Sequence, residues 1–115
     1  MKSIKSYTDI EQSRKLANIL PIESADMYYW CADHYPKEDW IIEVGEPDDD
    51  NYECIYAWSL AALLGVISYY KLSSKHNHHT CTAETPFRKE TVAWFDNPID
   101  ACYEMILKLH ELKML

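Results

Sequence analysis

Glycine is almost missing: the 115 residues hold two. Turns that need positive φ must therefore lean on Asn and Asp, and Gly-rich loops that cradle phosphates are excluded, which removes the usual signature of nucleotide binding. Long apolar runs are missing too. The longest, Leu60 to Ile67, is eight residues, far below the ~20 of a membrane-spanning helix, so no span is expected. Met1-Lys2-Ser3-Ile4-Lys5-Ser6 has the charge of a signal peptide's first region without the apolar stretch that follows one, and the expected location is the cytoplasm. In that reducing compartment Cys31, Cys54, Cys81 and Cys102 are read as thiols. Bases are few, eleven Lys and Arg against nineteen Asp and Glu. Direct binding to nucleic-acid phosphates is not expected of such a chain.

What is present is globular usage, 48% hydrophobic and 26% charged with four Trp, nine Tyr and two Phe. This composition and length fit one compact domain, residues 1–115. The acids are not spread evenly. Residues 23–53 carry eleven (Glu23, Asp26, Asp33, Glu38, Asp39, Glu43, Glu46, Asp48, Asp49, Asp50 and Glu53) against one base, Lys37. That is net −10 in 31 residues, while the other 84, with eight acids and ten bases, sum to +2. A field this dense implies a basic partner, a bound cation or solubility.

Local patterns predict three helices. Thr8-Asp9-Ile10-Glu11 matches a capping box, and Ile10, Leu16, Ala17 and Leu20 continue at helical spacing until Pro21, which predicts a helix over 9–20. Ser59 caps the apolar run Leu60-Ala61-Ala62-Leu63-Leu64, with Gly65 as its expected end. Asp96-Asn97-Pro98 starts the last helix, whose stripe Ile99, Cys102, Ile106 and Leu109, flanked by Met105 and Leu112, is made for burial. Glu104 and Lys108 stand there in the favourable i,i+4 order. Strands are expected over 27–31, 40–44, 52–56, 66–72, 79–83 and 91–95, where aromatic and β-branched residues gather. Residues 46–51 read as a loop and 75–78 as a hairpin tip. The last three strands are expected to form an antiparallel meander capped by the C-terminal helix, giving an α+β fold with a largely antiparallel sheet and three helices.

Three stretches stand out together: Glu23-Ser24-Ala25-Asp26-Met27-x-Tyr29-Trp30, Ala57-Trp58-Ser59-Leu60-Ala61-Ala62-Leu63-Leu64, and Asp96-Asn97-Pro98-Ile99-Asp100-Ala101-Cys102-Tyr103-Glu104-Met105-Ile106-Leu107-Lys108-Leu109-His110-Glu111-Leu112. In these the chain resembles small uncharacterised proteins carried by gut bacteria, their phages and other mobile elements. The resemblance implies ancestry and genomic setting, and no activity. Where many of that group have proline before the Ala-Trp-Ser segment, this chain has Tyr56.

Candidate sites follow from residue type and spacing. His76-x-His78-His79-x-Cys81 puts four potential zinc ligands within six residues, and Cys31-x-x-His34 adds a pair. On extended chain His76 and His78 point one way while His79 and Cys81 point the other, so a closed four-ligand site and bound zinc are not expected. Asp48-Asp49-Asp50-Asn51 fails as a calcium loop, because Glu53 and Ser59 stand where that loop needs Gly and Glu. For catalysis, Glu104 and His110 share a helix but lie about 240° apart around it, and Cys102 falls on the buried stripe where thiols are inert. No cofactor and no enzyme activity are expected. Tyr28, Trp30, Tyr35, Trp40 and Tyr52 interleave with the acids of 23–53, the mixture of an interface for a basic protein. The partner-binding residues expected are Trp30, Tyr35, Trp40, Asp48, Asp49 and Asp50, with part of the charge met internally by Lys71, Lys75, Arg88 and Lys89. The alternatives are a small metal-binding protein using the His-rich hairpin, and a structural or oligomerising domain.

Overall fold

Among the described residues there are two small antiparallel sheets and three helices. The computed structural model describes residues 5–31, 40–47, 53–67, 70–75, 78–85 and 88–115. In chain order the elements are α1 (Ile10–Ala17), a 3-10 turn (Ile22–Ser24), β1 (Met27–Cys31), β2 (Ile41–Val44), β3 (Glu53–Ala57), α2 (Leu60–Val66), β4 (Tyr70–Lys75), β5 (His78–Thr85), β6 (Arg88–Phe95) and α3 (Pro98–Glu111). The first sheet has the order β2-β1-β3 and the second the order β4-β5-β6. The fold is α+β, and the last three strands form the meander expected from their short connections, with α3 packed on β5 and β6. No helix among the described residues is long and apolar enough to cross a membrane.

α3 starts as its sequence dictates. Asn97 is the N-cap, its side chain accepting from the Asp100 N–H at 2.8 Å, and Pro98 occupies the first turn, where its missing N–H costs nothing. Ile99, Ala101, Cys102, Met105, Ile106 and Leu109 are buried, joining Leu16, Leu20, Trp58, Leu63, Ile67, Cys81 and Ala83 in one hydrophobic cluster. Lys108, read from spacing as the partner of Glu104, has its Nζ 3.2 Å from a Glu90 carboxylate oxygen, tying α3 to β6.

α1 begins one residue later than the sequence reading placed it. Asp9, not Thr8, is the N-cap, and its capping-box partner is Gln12, not Glu11: the Gln12 N–H donates to the Asp9 carboxylate at 2.8 Å, and the Asp9 N–H to the Gln12 side chain at 3.2 Å. Thr8 is buried and engaged elsewhere, its hydroxyl 2.8 Å from that of Ser13 and accepting from the Trp58 N–H at 3.1 Å. The regular helix ends at Ala17, and Ile19 and Leu20 still bond back to the Leu16 carbonyl.

In α2 the Ser59 cap holds, its hydroxyl accepting from the Ala62 N–H at 3.2 Å. Gly65 does not end that helix. Val66 remains helical and the Ile67 N–H reaches the Leu63 carbonyl at 3.3 Å, so the strand expected over 66–72 starts instead at Tyr70.

Candidate functional site

The first sheet carries the acid-and-aromatic segment, and its register decides which side chains meet. β1 is central: Met27, Tyr28, Tyr29 and Trp30 face Val44, Glu43, Ile42 and Ile41 of β2, and Tyr28, Tyr29 and Trp30 face Tyr56, Ile55 and Cys54 of β3. Directly opposed residues lie on one side of a sheet and alternate along each strand. One face therefore holds Tyr28, Trp30, Ile41, Glu43, Cys54 and Tyr56. The other holds Met27, Tyr29, Cys31, Ile42, Val44, Ile55 and Ala57.

The second face is the inner one. Tyr29, Cys31 and Ala57 are buried, and the Tyr29 hydroxyl donates to the Thr8 carbonyl at 2.7 Å, fastening β1 to the chain ahead of α1. Burial, with lesser contributions from Tyr7 and Asp9, pushes the Tyr29 phenol up to about 12, so it stays a neutral donor at physiological pH. On the first face Tyr28, Trp30, Cys54 and Tyr56 are half-buried, Tyr56 leaning on the main core, while Glu43 is exposed and Ile41 is 47% exposed. The Tyr28 hydroxyl donates to the Glu43 carboxylate at 2.7 Å. Trp40, half-buried, stands just ahead of β2. Among the expected contact residues, Trp30 thus lies on the aromatic face, while Trp40 has no place in the register. Tyr35, Asp48, Asp49 and Asp50 lie outside the described residues.

One acid of the segment is not available to a partner. Asp26 accepts from the Ser59 N–H at 2.9 Å and from the Ser59 hydroxyl, so it holds the cap of α2, and Ser24 accepts from Trp58 Nε1 at 2.9 Å. The Ser-Ala-Asp and Ala-Trp-Ser stretches, more than thirty residues apart, are thereby latched together. Sequence spacing could not pair them, although both lie in the stretches that carry the resemblance. The third stretch is latched likewise: Asp100 accepts from Lys5 at 2.7 Å, Gln12 at 2.8 Å and Asn97 at 2.9 Å. Burial raises the Asp100 carboxyl, but these bonds and the Lys5 charge outweigh it and hold the group below the usual carboxylate range. Lys5 also reaches Asp9 at 3.2 Å. Lys5 and Lys108 thus pair with acids outside 23–53. Of those expected to meet the segment's charge, Lys89 is exposed, and the side chains of Lys71, Lys75 and Arg88 lie outside what is described.

In the His-rich hairpin Lys75 of β4 faces His78 of β5. His78 is exposed, His79 half-buried and Cys81 fully buried, while His76 and His34 lie outside the described residues. Cys81 meets Cys102 of α3 in the core. Donation of its S–H to Cys81, reinforced by burial, drives the Cys102 thiol well above its ordinary range, leaving it protonated and unreactive. All four cysteines are free thiols. Among the described residues no group of three or more His, Cys, Asp or Glu is placed to hold a metal ion.

A groove of about 480 Å³ runs between α1, α3 and β6, floored by Ile19, Val92 and Leu107 and rimmed by Lys15, Glu104, Lys108, His110 and Glu111. Glu104 and His110, separated around the helix, both border it. Six residues are about 9 Å of helix rise, so they stand at different heights along the groove. Its rim mixes both signs and gathers no nucleophile beside a base. Compared with protein-family models, with curated proteins and with solved structures, the chain finds no match.

Proposed function

We propose that this protein is a non-catalytic binding module that acts in the cytoplasm on a basic or nucleic-acid-handling protein, as an accessory factor of a phage or mobile element. The genomic part of this reading comes from the sequence resemblance. The binding part is carried by one observation, the register that lays Tyr28, Trp30 and Ile41 beside Glu43 on one face, within a segment of net −10. Half-buried aromatics supply area that a partner can finish burying, and the acids around them set its charge and speed its approach. Direct nucleic-acid binding is disfavoured by the same field. The metal-binding alternative has less support, since Cys81 turns to Cys102 in the core while His78 stays outside.

The test is capture of the partner from the native host followed by association kinetics with the purified pair. The partner should be basic. Neutralising Asp48, Asp49 and Asp50 to Asn should slow association while leaving the melting temperature nearly unchanged, and the deficit should shrink with salt as exposed charges are screened over roughly 8 to 10 Å. A partner whose binding ignores both salt and this triple substitution would sink the reading.

A further inference from the structure

The β2 edge of the first sheet bears on how the partner is held, an inference that rests on the binding reading above. β2 has one strand neighbour among the described residues, β1. The Gly45 N–H donates to the Asp26 carbonyl at 2.8 Å, and in an antiparallel ladder residues alternate between exchanging bonds with the facing strand and turning away from it. Residues 43 and 41 therefore aim their backbone groups at β1. Ile42 and Val44 aim theirs outward. Natural edges are commonly blunted by Lys, Pro, bulges or a covering element. The β2 sequence Ile-Ile-Glu-Val has neither Lys nor Pro, it pairs with β1 in unbroken register, and Val44 is 80% exposed at its end.

Charge selects the occupant. Residues 38–50, which contain β2, hold seven acids (Glu38, Asp39, Glu43, Glu46, Asp48, Asp49 and Asp50) and no base. A second copy added edge to edge would set these acids against themselves, and like-charge juxtaposition is destabilising. We propose that β2 takes an extended segment of a basic partner as an added antiparallel strand. Main-chain bonds form at Ile42 and Val44, an aliphatic side chain lies opposite Val44, and Lys or Arg lies opposite Glu43. Glu43 and Val44 point to opposite faces, so the occupant alternates basic and aliphatic residues. The Tyr28 bond to Glu43 does not prevent this, because a carboxylate has lone pairs for several donors.

The probe is a capped seven-residue peptide alternating lysine and valine, titrated into the 15N-labelled full chain. Saturable binding should slow amide exchange at Ile42 and Val44, with little change at Ile41 and Glu43. The valine opposite Val44 belongs to a hydrogen-bonded pair, so N-methylating the valines should weaken binding at least about tenfold, whereas N-methylating the lysines should not. Val44→Pro removes an outward donor while keeping the Gly45 bond to Asp26, and should weaken binding comparably; if that variant misfolds, the methylated peptides still decide. Equal binding by all three peptides without protection of Ile42 and Val44 overturns strand addition, and leaves the binding module standing if salt dependence persists. Absence of any peptide binding also overturns strand addition, while the native-partner kinetics judge the module separately. Protection of Ile42 and Val44 that grows with protein concentration alone, together with a dimer in sedimentation, overturns it in favour of self-pairing.

Discussion

The two sheets are alike in size and opposite in use. Each has three antiparallel strands, yet the second is covered by α3, and the hydrophobic cluster draws its fully enclosed members from α1, α2, β5, α3 and the chain beside them. β1 and β2 contribute none to that cluster. Their sheet buries Tyr29, Cys31 and Ala57 on its inner face and leaves Ile41 and Val44 in water. Charge divides in the same direction, net −10 over 23–53 against +2 elsewhere. Hydrophobic stabilisation scales with apolar area removed from water. Folding energy is therefore concentrated around the second sheet and the helices packed with it, and the first sheet is free to keep apolar and acidic groups at the surface.

The strongest way to break that comparison is to remove its cover. Deleting residues 97–115 should abolish cooperative thermal unfolding, because Leu16, Trp58, Leu63 and Cys81 lose the helix that encloses them. If the truncated chain melts sharply near the parent temperature, α3 is an appendage and stability resides elsewhere. A milder pair of substitutions sharpens the contrast. Ile106→Ala empties a site with no solvent exposure and should cost about 2 to 5 kcal/mol, whereas Val44→Ala at the exposed end of β2 should stay within about 0.5 kcal/mol. Urea unfolding measures both. Comparable losses would mean that β2 is packed after all.

How much of this was legible in the sequence depended on range. α3 was, because its cap, its proline and its apolar stripe are local and agree with one another. The Ser59 cap was legible for the same reason. The sequence places the start of α1 one residue early because Thr8 and Asp9 both have side chains fit to cap, and Thr8 is drawn away by Ser13 and by the distant Trp58. Strand existence could be read from composition. The division into two sheets could not, since it rests on β1 pairing with both β2 and β3 across long separations. At the candidate site, the mixture of aromatics and acids is a sequence property, but the face they share is a register property. Asp26 shows the cost of reading charge by count alone: it belongs to the acidic segment by number and to the cap of α2 by contact.

The smallest expected effect concerns the latch that joins the chain ahead of α1 to α3. Lys5, Gln12 and Asn97 all donate to Asp100, whose carboxyl is thereby held below the usual range although burial opposes this. An acid with a depressed folded pKa binds protons more readily when unfolded. Its stabilising contribution is complete above the unfolded value, about 3.9, and is lost as pH falls through the lower folded value. Asp100→Asn should therefore be less stable than the parent at neutral pH, with the gap closing on acidification below about pH 4. The Asp100 side chain is a third exposed, so the gap should be modest and should shrink in high salt. Urea midpoints of the two proteins between neutral pH and pH 3 measure it. A gap that stays constant with pH would assign the latch to its neutral hydrogen bonds alone, and a gap that widens in acid would reverse the sign of the argument.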